Sequence, residues 1–281
     1  MVVDKSITLD LGTNNIEAGE QTVLINKDTV ITGTGEINSN SSTNAVQVEN
    51  AKLTLNGGKI NSTKLYGVNL VGISEIVIED GEIHSKDSSI SCNNGDAENV
   101  TITINNGTIS SDTDATIYVP SPCTINVNGG TLNGGINARM GTININGGTI
   151  NSIASGNDKI EEYYNFQGNV WLGDAIACMA GTYTTPFEKQ SNKLAINISK
   201  GTINGLCNGC SAVAIYNLGK VAQDISVTIG EDAILTVTDD TQPLYKKLSA
   251  KEIVPSGAKD YKEYTAIENT VTENIPEKFL T

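Results

Sequence analysis

The chain has 281 residues, with 18 basic and 32 acidic side chains, a formal net charge of −14 and only 5% aromatic residues. Its abundance of Gly, Asn, Thr, Ser and Ile favours strands and turns and excludes a helical bundle. An acidic chain with a single arginine, Arg139, is poorly suited to nucleic acid or an anionic membrane surface, and no apolar run is long enough to span a bilayer.

The amino-terminal segment begins with a strand pattern. Ile7, Leu9 and Leu11 alternate with polar residues, which predicts a short strand. The preceding residues 1–5 lack the basic and apolar regions of a secretory signal. The five cysteines are an odd number and are too sparse for a disulfide framework, which fits folding in a reducing cytoplasm slightly better than secretion.

A short sequence motif then recurs along the chain: apolar-x-apolar, two turn residues, Gly, any residue, an apolar residue, and Asn or Ser. The first and last copies, at Val30–Asn38 and Val227–Ile234, are degenerate. The clear copies are Leu53–Asn61, Ile76–His84, Ile102–Ser110, Ile125–Asn133, Ile143–Asn151 and Ile196–Asn204. The Gly of each copy falls at a tight corner, where we expect a positive φ.

Most repeats also have a third apolar pair after the Gly, and each pair has strand-like alternation. These pairs are Val46/Val48, Val68/Leu70, Ile90/Cys92, Ile117/Val119, Ile136/Ala138 and Val213/Ile215. Three alternating strands per repeat predict stacked coils with an apolar interior and parallel pairing between coils. Equivalent side chains should then stack. We expect an amide ladder at Asn38, Asn61, Asn133, Asn151 and Asn204, with His84 and Ser110 in the same slot.

These repeats resemble the right-handed parallel β-helix family, the pectate-lyase-like solenoids that include polysaccharide lyases, surface adhesins and phage tailspikes. The resemblance covers about residues 7–238. It implies an all-β fold, a right-handed parallel β-helix of three-strand coils with about eight rungs. We expect a cap and first coil at 1–29, the β-helix at 30–242, and a carboxy-terminal cap and extended tail at 243–281. A short helix at Pro243–Ala250 would cover the last coil.

The spacing between repeats doubles after Gly148, which predicts long loop insertions within about residues 152–193. The insertions are rich in aromatic residues, and aromatic rings stack on sugars and anchor interfaces. Packing of the rings against the rod is an equally open interpretation. The candidate ligand- or partner-binding residues are Tyr163, Tyr164, Phe166, Trp171, Tyr183 and Phe187.

The signals for catalysis or metal binding are weak. The adjacent pair Asp239 and Asp240 lies beyond the last coil, and the single histidine, His84, occupies the ladder slot. The spacing of Cys207 and Cys210 fits a redox pair, half a zinc site, two loop thiols or a local disulfide. We interpret the remaining loop acids, Asp112, Asp114, Asp158, Glu161 and Glu162, as solvating charge. No catalytic residue, metal site or cofactor is predicted.

We therefore expect a non-catalytic, surface-displayed β-helix that serves as a structural or adhesive component of a phage virion or bacterial surface. Its expected partners are a surface glycan or host receptor, and other virion or cell-surface proteins through the carboxy-terminal tail. The family resemblance implies a possible homotrimer. Two alternatives stay open: a polysaccharide-degrading enzyme of the same fold, and a cell-wall adhesin fragment whose signal and anchor lie outside this sequence.

Overall fold

The structure is a computed structural model that describes residues 1–20, 22–93, 99–153, 173–180, 193–217, 221–249, 252, 267 and 269–280. These residues are almost entirely β-structure, and a short 3-10 helix lies at Glu277–Phe279. The strands are β1 (Val2–Val3), β2 (Ile7–Asp10), β3 (Ile16–Gly19), β4 (Val23–Ile25), β5 (Thr29–Ser39), β6 (Asn44–Glu49), β7 (Lys52–Ser62), β8 (Tyr66–Val71), β9 (Glu75–Ser85), β10 (Ile90–Ser91), β11 (Val100–Ile104), β12 (Thr108–Ser111), β13 (Ile117–Val119), β14 (Cys123–Val127), β15 (Thr131–Gly134), β16 (Ile136–Ala138), β17 (Gly141–Ile145), β18 (Thr149–Ser152), β19 (Ile176–Ala180), β20 (Lys193–Gly205), β21 (Val213–Asn217), β22 (Asp224–Val237), β23 (Tyr245–Ser249) and β24 (Val271–Asn274).

The strands form two large parallel sheets. Sheet A has ten strands in the order β1-β4-β6-β8-β10-β13-β16-β19-β21-β23. Sheet B contains the other fourteen. Each strand pairs in parallel with the equivalent strand of the next repeat, as β10 does with β13 and β11 does with β14. The expected all-β class with parallel pairing is confirmed.

Equivalent side chains stack in rows because the strands pair repeat to repeat. In sheet B, Ile83 lies opposite Ile109, and in sheet A, Ile90 lies opposite Ile117. All four side chains are fully buried, and they belong to one continuous core that extends through both sheets. Burial of each Ile contributes about 1.5–3 kcal/mol. The alternation seen in the sequence thus positions the core between the sheets.

Three separate strands per repeat are not present everywhere. In β5, β7, β9, β20 and β22 the first two expected strands form one long strand that continues through the corner, where β22 has Ala233 opposite Gly201. Gly81, within β9, has a φ of +109°, and an added Cβ would lie 2.7 Å from the backbone oxygen of Gly58. Glycine therefore lets the strand turn without ending its pairing, because it avoids both the steric clash and the conformational cost.

The long strands also join the two arms of sheet B into a closed ring. β9 pairs with β11 along its first half and with β12 along its second half. β20 pairs in the same way with β17 and β18. Eight strands therefore close in the order β11-β14-β17-β20-β18-β15-β12-β9. The two arcs of this ring correspond to the first and second strands expected in each repeat.

The carboxy-terminal region differs from expectation at one point. Within the described residues 243–249, the helix expected at Pro243–Ala250 is not present, because β23 pairs in parallel with β21 and becomes the last strand of sheet A. Tyr245 lies opposite Val213 in this pairing and is buried. Burial against the sheet outweighs local helix propensity in this segment. In the described part of the chain, no helix is long and apolar enough to cross a membrane.

Candidate functional site

The aromatic residues proposed from the sequence lie outside the described residues. They are Tyr163, Tyr164, Phe166, Trp171, Tyr183 and Phe187. Their binding role therefore stays a prediction. In the chain, the two segments that contain them precede and follow β19, an interior strand of sheet A.

The amide ladder expected on sheet B is confirmed by direct hydrogen bonds. Asn61 Nδ2 donates to Asn38 Oδ1 at 2.9 Å. Asn151 Nδ2 donates to Asn133 Oδ1 at 2.8 Å, and Asn204 Nδ2 donates to Asn151 Oδ1 at 2.7 Å. Each amide thus fixes the rotamer of the next, so this row of polar side chains is ordered in advance of any contact.

His84 occupies the same row, as expected. It lies opposite Asn61 on one side and Ser110 on the other, and its Nδ1 is 2.9 Å from Ser110 Oγ. Its Nε2 is 3.6 Å from Asp112 Oδ1, and both side chains are 46% exposed. These contacts support the structural role assigned to His84, because its ring is hydrogen-bonded to Ser110, the next residue of the row.

Two further ladders in sheet B were not identified from the sequence. One uses the turn residue two positions before the corner glycine, and the other uses the middle residue of the apolar-x-apolar pair. Each of these two positions occurs once per repeat. The recurrence of Asn at each position could therefore have predicted both ladders from the sequence. The hydrogen-bonded pairs are Asn128 to Asn105 at 2.9 Å, Asn146 to Asn128 at 3.0 Å, Asn144 to Asn126 at 2.9 Å and Asn197 to Asn144 at 3.0 Å.

The surroundings of the cysteines indicate structural roles. Cys207 and Cys210 form a disulfide and are both buried, which selects the local disulfide among the alternatives considered. Cys92 and Cys178 are buried free thiols in the core. Burial raises the pKa of Cys92 to about 11, and it raises the pKa of Cys178 further. Thiols held in this protonated form are poor nucleophiles.

A polar cluster at sheet A was not predicted from the sequence. We call it the tyrosine–carboxyl cluster; it contains Tyr66, Asp87, Asp114, Tyr118 and Arg139. Tyr66 begins β8, Tyr118 lies in β13, and Arg139 directly follows β16. Asp87 and Asp114 lie in the connections from sheet B to β10 and β13. β8, β10, β13 and β16 are consecutive strands, so the stacking of repeats brings these distant residues together.

The two carboxyl groups are electrostatically linked. Burial, together with the charge of Asp87 and a hydrogen bond with it, raises the pKa of Asp114 to about 7. The Ala115 backbone N–H donates to Asp114 Oδ1 at 2.7 Å and partly opposes this rise. The expectation that Asp114 only adds solvating charge is wrong, because its carboxyl group is largely removed from water. Near neutral pH it both donates and accepts hydrogen bonds.

Arg139 and the tyrosines complete the cluster. Arg139 is 1% exposed, its Nη2 donates to Tyr118 Oη at 3.0 Å, and its guanidinium carbon lies 5.7 Å from the Tyr118 ring centroid. Burial raises the pKa of Tyr118, Arg139 lowers it in part, and Tyr66 and Asp114 raise it. Burial likewise raises the pKa of Tyr66, with Asp87 and Asp114 adding to the rise. Asn93 Nδ2 donates to Tyr66 Oη at 3.2 Å.

The cluster therefore combines aromatic rings, a carboxyl pair able to accept and donate, and a buried guanidinium. Such a combination suits a polar, hydroxyl-bearing ligand with some apolar surface. Among the residues that the structure describes, no group of three or more His, Cys, Asp or Glu side chains is placed to hold a metal ion. Comparisons of the chain with protein-family profiles, curated proteins and solved structures found no match.

Proposed function

We propose that the chain is a right-handed parallel β-helix of three-strand coils, with about eight rungs and a length of about 40 Å. The repeat-to-repeat parallel register supports this architecture. The closed ring of sheet B is then formed by two faces of the helix that share the long strands β9 and β20. Residues 1–29 contain the amino-terminal cap and first coil, and residues 243–281 the carboxy-terminal cap and tail.

We further propose that this β-helix is a non-catalytic structural or adhesive component of a phage virion or bacterial surface. One observation carries the proposal: the stacked repeats hold rows of polar side chains in fixed register, through ladders such as Asn133–Asn151–Asn204. A pre-ordered surface loses little side-chain entropy when it binds. The tyrosine–carboxyl cluster provides a local contact site for a glycan or a receptor on this rigid support.

The proposal also includes the other contacts expected from the sequence. The aromatic residues Tyr163, Tyr164, Phe166, Trp171, Tyr183 and Phe187 provide a second contact surface for a glycan or host receptor. The carboxy-terminal tail attaches the β-helix to other virion or cell-surface proteins, and three copies associate along their length.

The test is retention of the purified protein on immobilised bacterial and plant polysaccharides and on intact host cells. We expect Trp171→Ala to weaken retention while the melting temperature stays within about 2 °C, since a residue used only for contact adds little to stability. A large fall in melting temperature would instead assign Trp171 to packing. Absence of retention by the unaltered protein on every surface would refute the adhesive role.

A second candidate function is hydrolysis of a polysaccharide. The observation that favours it is the unequal carboxyl pair, in which the pKa of Asp114 is raised to about 7 beside Asp87. Pairs of carboxyl groups with separated pKa values supply the acid and base of glycosidases. Release of reducing ends that is abolished by Asp114→Asn would establish this function. Binding without release favours the adhesive role.

A further inference from the structure

We infer that the tyrosine–carboxyl cluster binds one residue of a neutral, hydroxyl-rich sugar chain. This inference rests on the proposed adhesive function and makes it more specific, since it names both the site and the chemical class of the ligand. The site is defined by described residues within and next to strands of sheet A and does not depend on the aromatic segments on either side of β19 in the chain.

The charge of the cluster favours a neutral ligand. Arg139 carries one positive charge, which offsets the negative charge of Asp87. Asp114 is largely protonated below about pH 7, because burial and Asp87 raise its pKa. The cluster as a whole is then close to neutral. A ligand anion would also meet the field of a chain with a net charge of −14.

The chemical groups of the cluster match adjacent hydroxyl groups. Asp87 and Asp114 follow β9 and β12, which pair in neighbouring repeats, and their carboxyl groups are close enough to share a hydrogen bond. A carboxylate accepts two hydroxyl donors at once, whereas a protonated carboxyl also donates to a hydroxyl oxygen. Tyr66 is only partly buried and offers ring surface beside these groups. Its hydroxyl oxygen accepts from Asn93 Nδ2, which leaves the O–H to donate to a ligand.

A buried donor supplies independent support. Arg139 Nε is buried and has no hydrogen-bond partner among the described residues, although Nη2 of the same guanidinium is bonded to Tyr118. A buried donor without a partner is unfavourable, so such groups in proteins call for an explanation. This unpaired donor lies beside Tyr118 and marks a point of the cluster where hydrogen bonding is incomplete.

The experiment compares the binding of neutral and uronic-acid-containing polysaccharides to the full chain, by affinity electrophoresis and calorimetry near pH 6.5. We expect neutral polymers to bind, and Asp87→Asn to weaken binding about tenfold or more, as for loss of a hydrogen bond to a charged group. Tyr66→Phe should also weaken it, and this change removes only a hydroxyl. The matched control is Asp112→Asn, in the same turn as Asp114 but exposed and paired with His84 and Lys86.

The outcomes separate this inference from the adhesive role itself. Binding of neutral polymers that is lost in Asp87→Asn and Tyr66→Phe, and kept in Asp112→Asn, supports both. Binding that none of these variants alters would overturn the site and leave the adhesive role intact. Preference for uronic-acid polymers would overturn the ligand class. If no polysaccharide binds, the inference fails, while retention on host cells still tests adhesion separately. Circular dichroism melting of each variant confirms that it is folded.

Discussion

Asp114 shows how its surroundings change the chemistry of a single residue. Its pKa is raised from an unfolded value of about 3.9 to about 7, chiefly because burial disfavours the ionised carboxyl group. Between these two pH values the folded chain binds more protons than the unfolded chain does. The free energy of unfolding should therefore fall as the pH rises from about 4 to about 7, with a slope of at most about 1.4 kcal/mol per pH unit from this group.

Asp114→Asn should reduce that slope, because an amide does not titrate and has nearly the same shape. Chemical denaturation at a series of pH values measures the effect. Asp112→Asn, which changes an exposed carboxylate in the same connection, provides the reference. Equal slopes for the unaltered protein and Asp114→Asn would mean that Asp114 ionises normally in the folded state.

A substitution of Ile145 tests whether this side chain belongs to the apolar core. It is fully buried, and it lies opposite Val127 on one side and Ile198 on the other. Ile145→Asp would place an unpaired charge between these apolar neighbours, at a cost that exceeds the stability of most domains. We expect loss of the cooperative melting transition. Thr142→Asp, at a partly exposed position of the same strand, should leave a cooperative transition; an unchanged melt for Ile145→Asp would contradict the core assignment.

At the scale of elements, one carboxylate links three successive strands of sheet A. Asp174, just before β19, is fully buried and accepts the Ser211 backbone N–H at 2.7 Å. It also accepts the hydroxyl of Tyr216 in β21, and Lys246 Nζ of β23 lies 2.7 Å from its Oδ1. The Lys246 side chain is only 11% exposed. The last strands of sheet A are therefore fastened by a buried ion pair with additional hydrogen bonds.

Asp174→Asn should destabilise this end of the molecule by about 3–5 kcal/mol, because it leaves the Lys246 charge buried without a counter-charge. Hydrogen exchange should become faster in β21 and β23 and stay unchanged in β7. Lys247→Met, which removes the exposed pair with Glu273, should cost no more than about 1 kcal/mol. Similar effects for the two variants would show that the Asp174 pair is not desolvated.

The same elements show what the sequence could and could not predict. The Ile and Asn positions lie at fixed places within the repeat motif. The buried rows of the core and the first amide ladder could therefore be predicted from the spacing of these residues alone. The proximity of Asp87 and Asp114 depends on how many residues separate two stacked repeats, and that number varies along the chain. β23 could not be predicted from the sequence because Tyr245–Ser249 lacks the repeated motif. Its conformation is set by pairing with β21.

For the whole molecule, the parallel pairing connects most strands to the equivalent strands of the preceding and following repeats. Stability then depends on local units and the interfaces between them, and the ends open more readily than the middle. Phe279, in the 3-10 helix, is 4% exposed and belongs to the same core as the strands. Lys278 Nζ, beside it, lies 3.2 Å from Glu231 Oε2 of β22. This helix therefore covers the carboxy-terminal end of the core.

Phe279→Ala should expose that end at a cost of about 3–5 kcal/mol to the last repeats alone. We expect faster hydrogen exchange in β22 and β24, and little change in β7 and β9, because several intact interfaces separate them from the altered end. Lys278→Met serves as the control, since it removes an exposed contact of the same helix. Uniformly faster exchange throughout the described strands would instead mean that the stack unfolds as a single cooperative unit, in which covering one end stabilises every repeat.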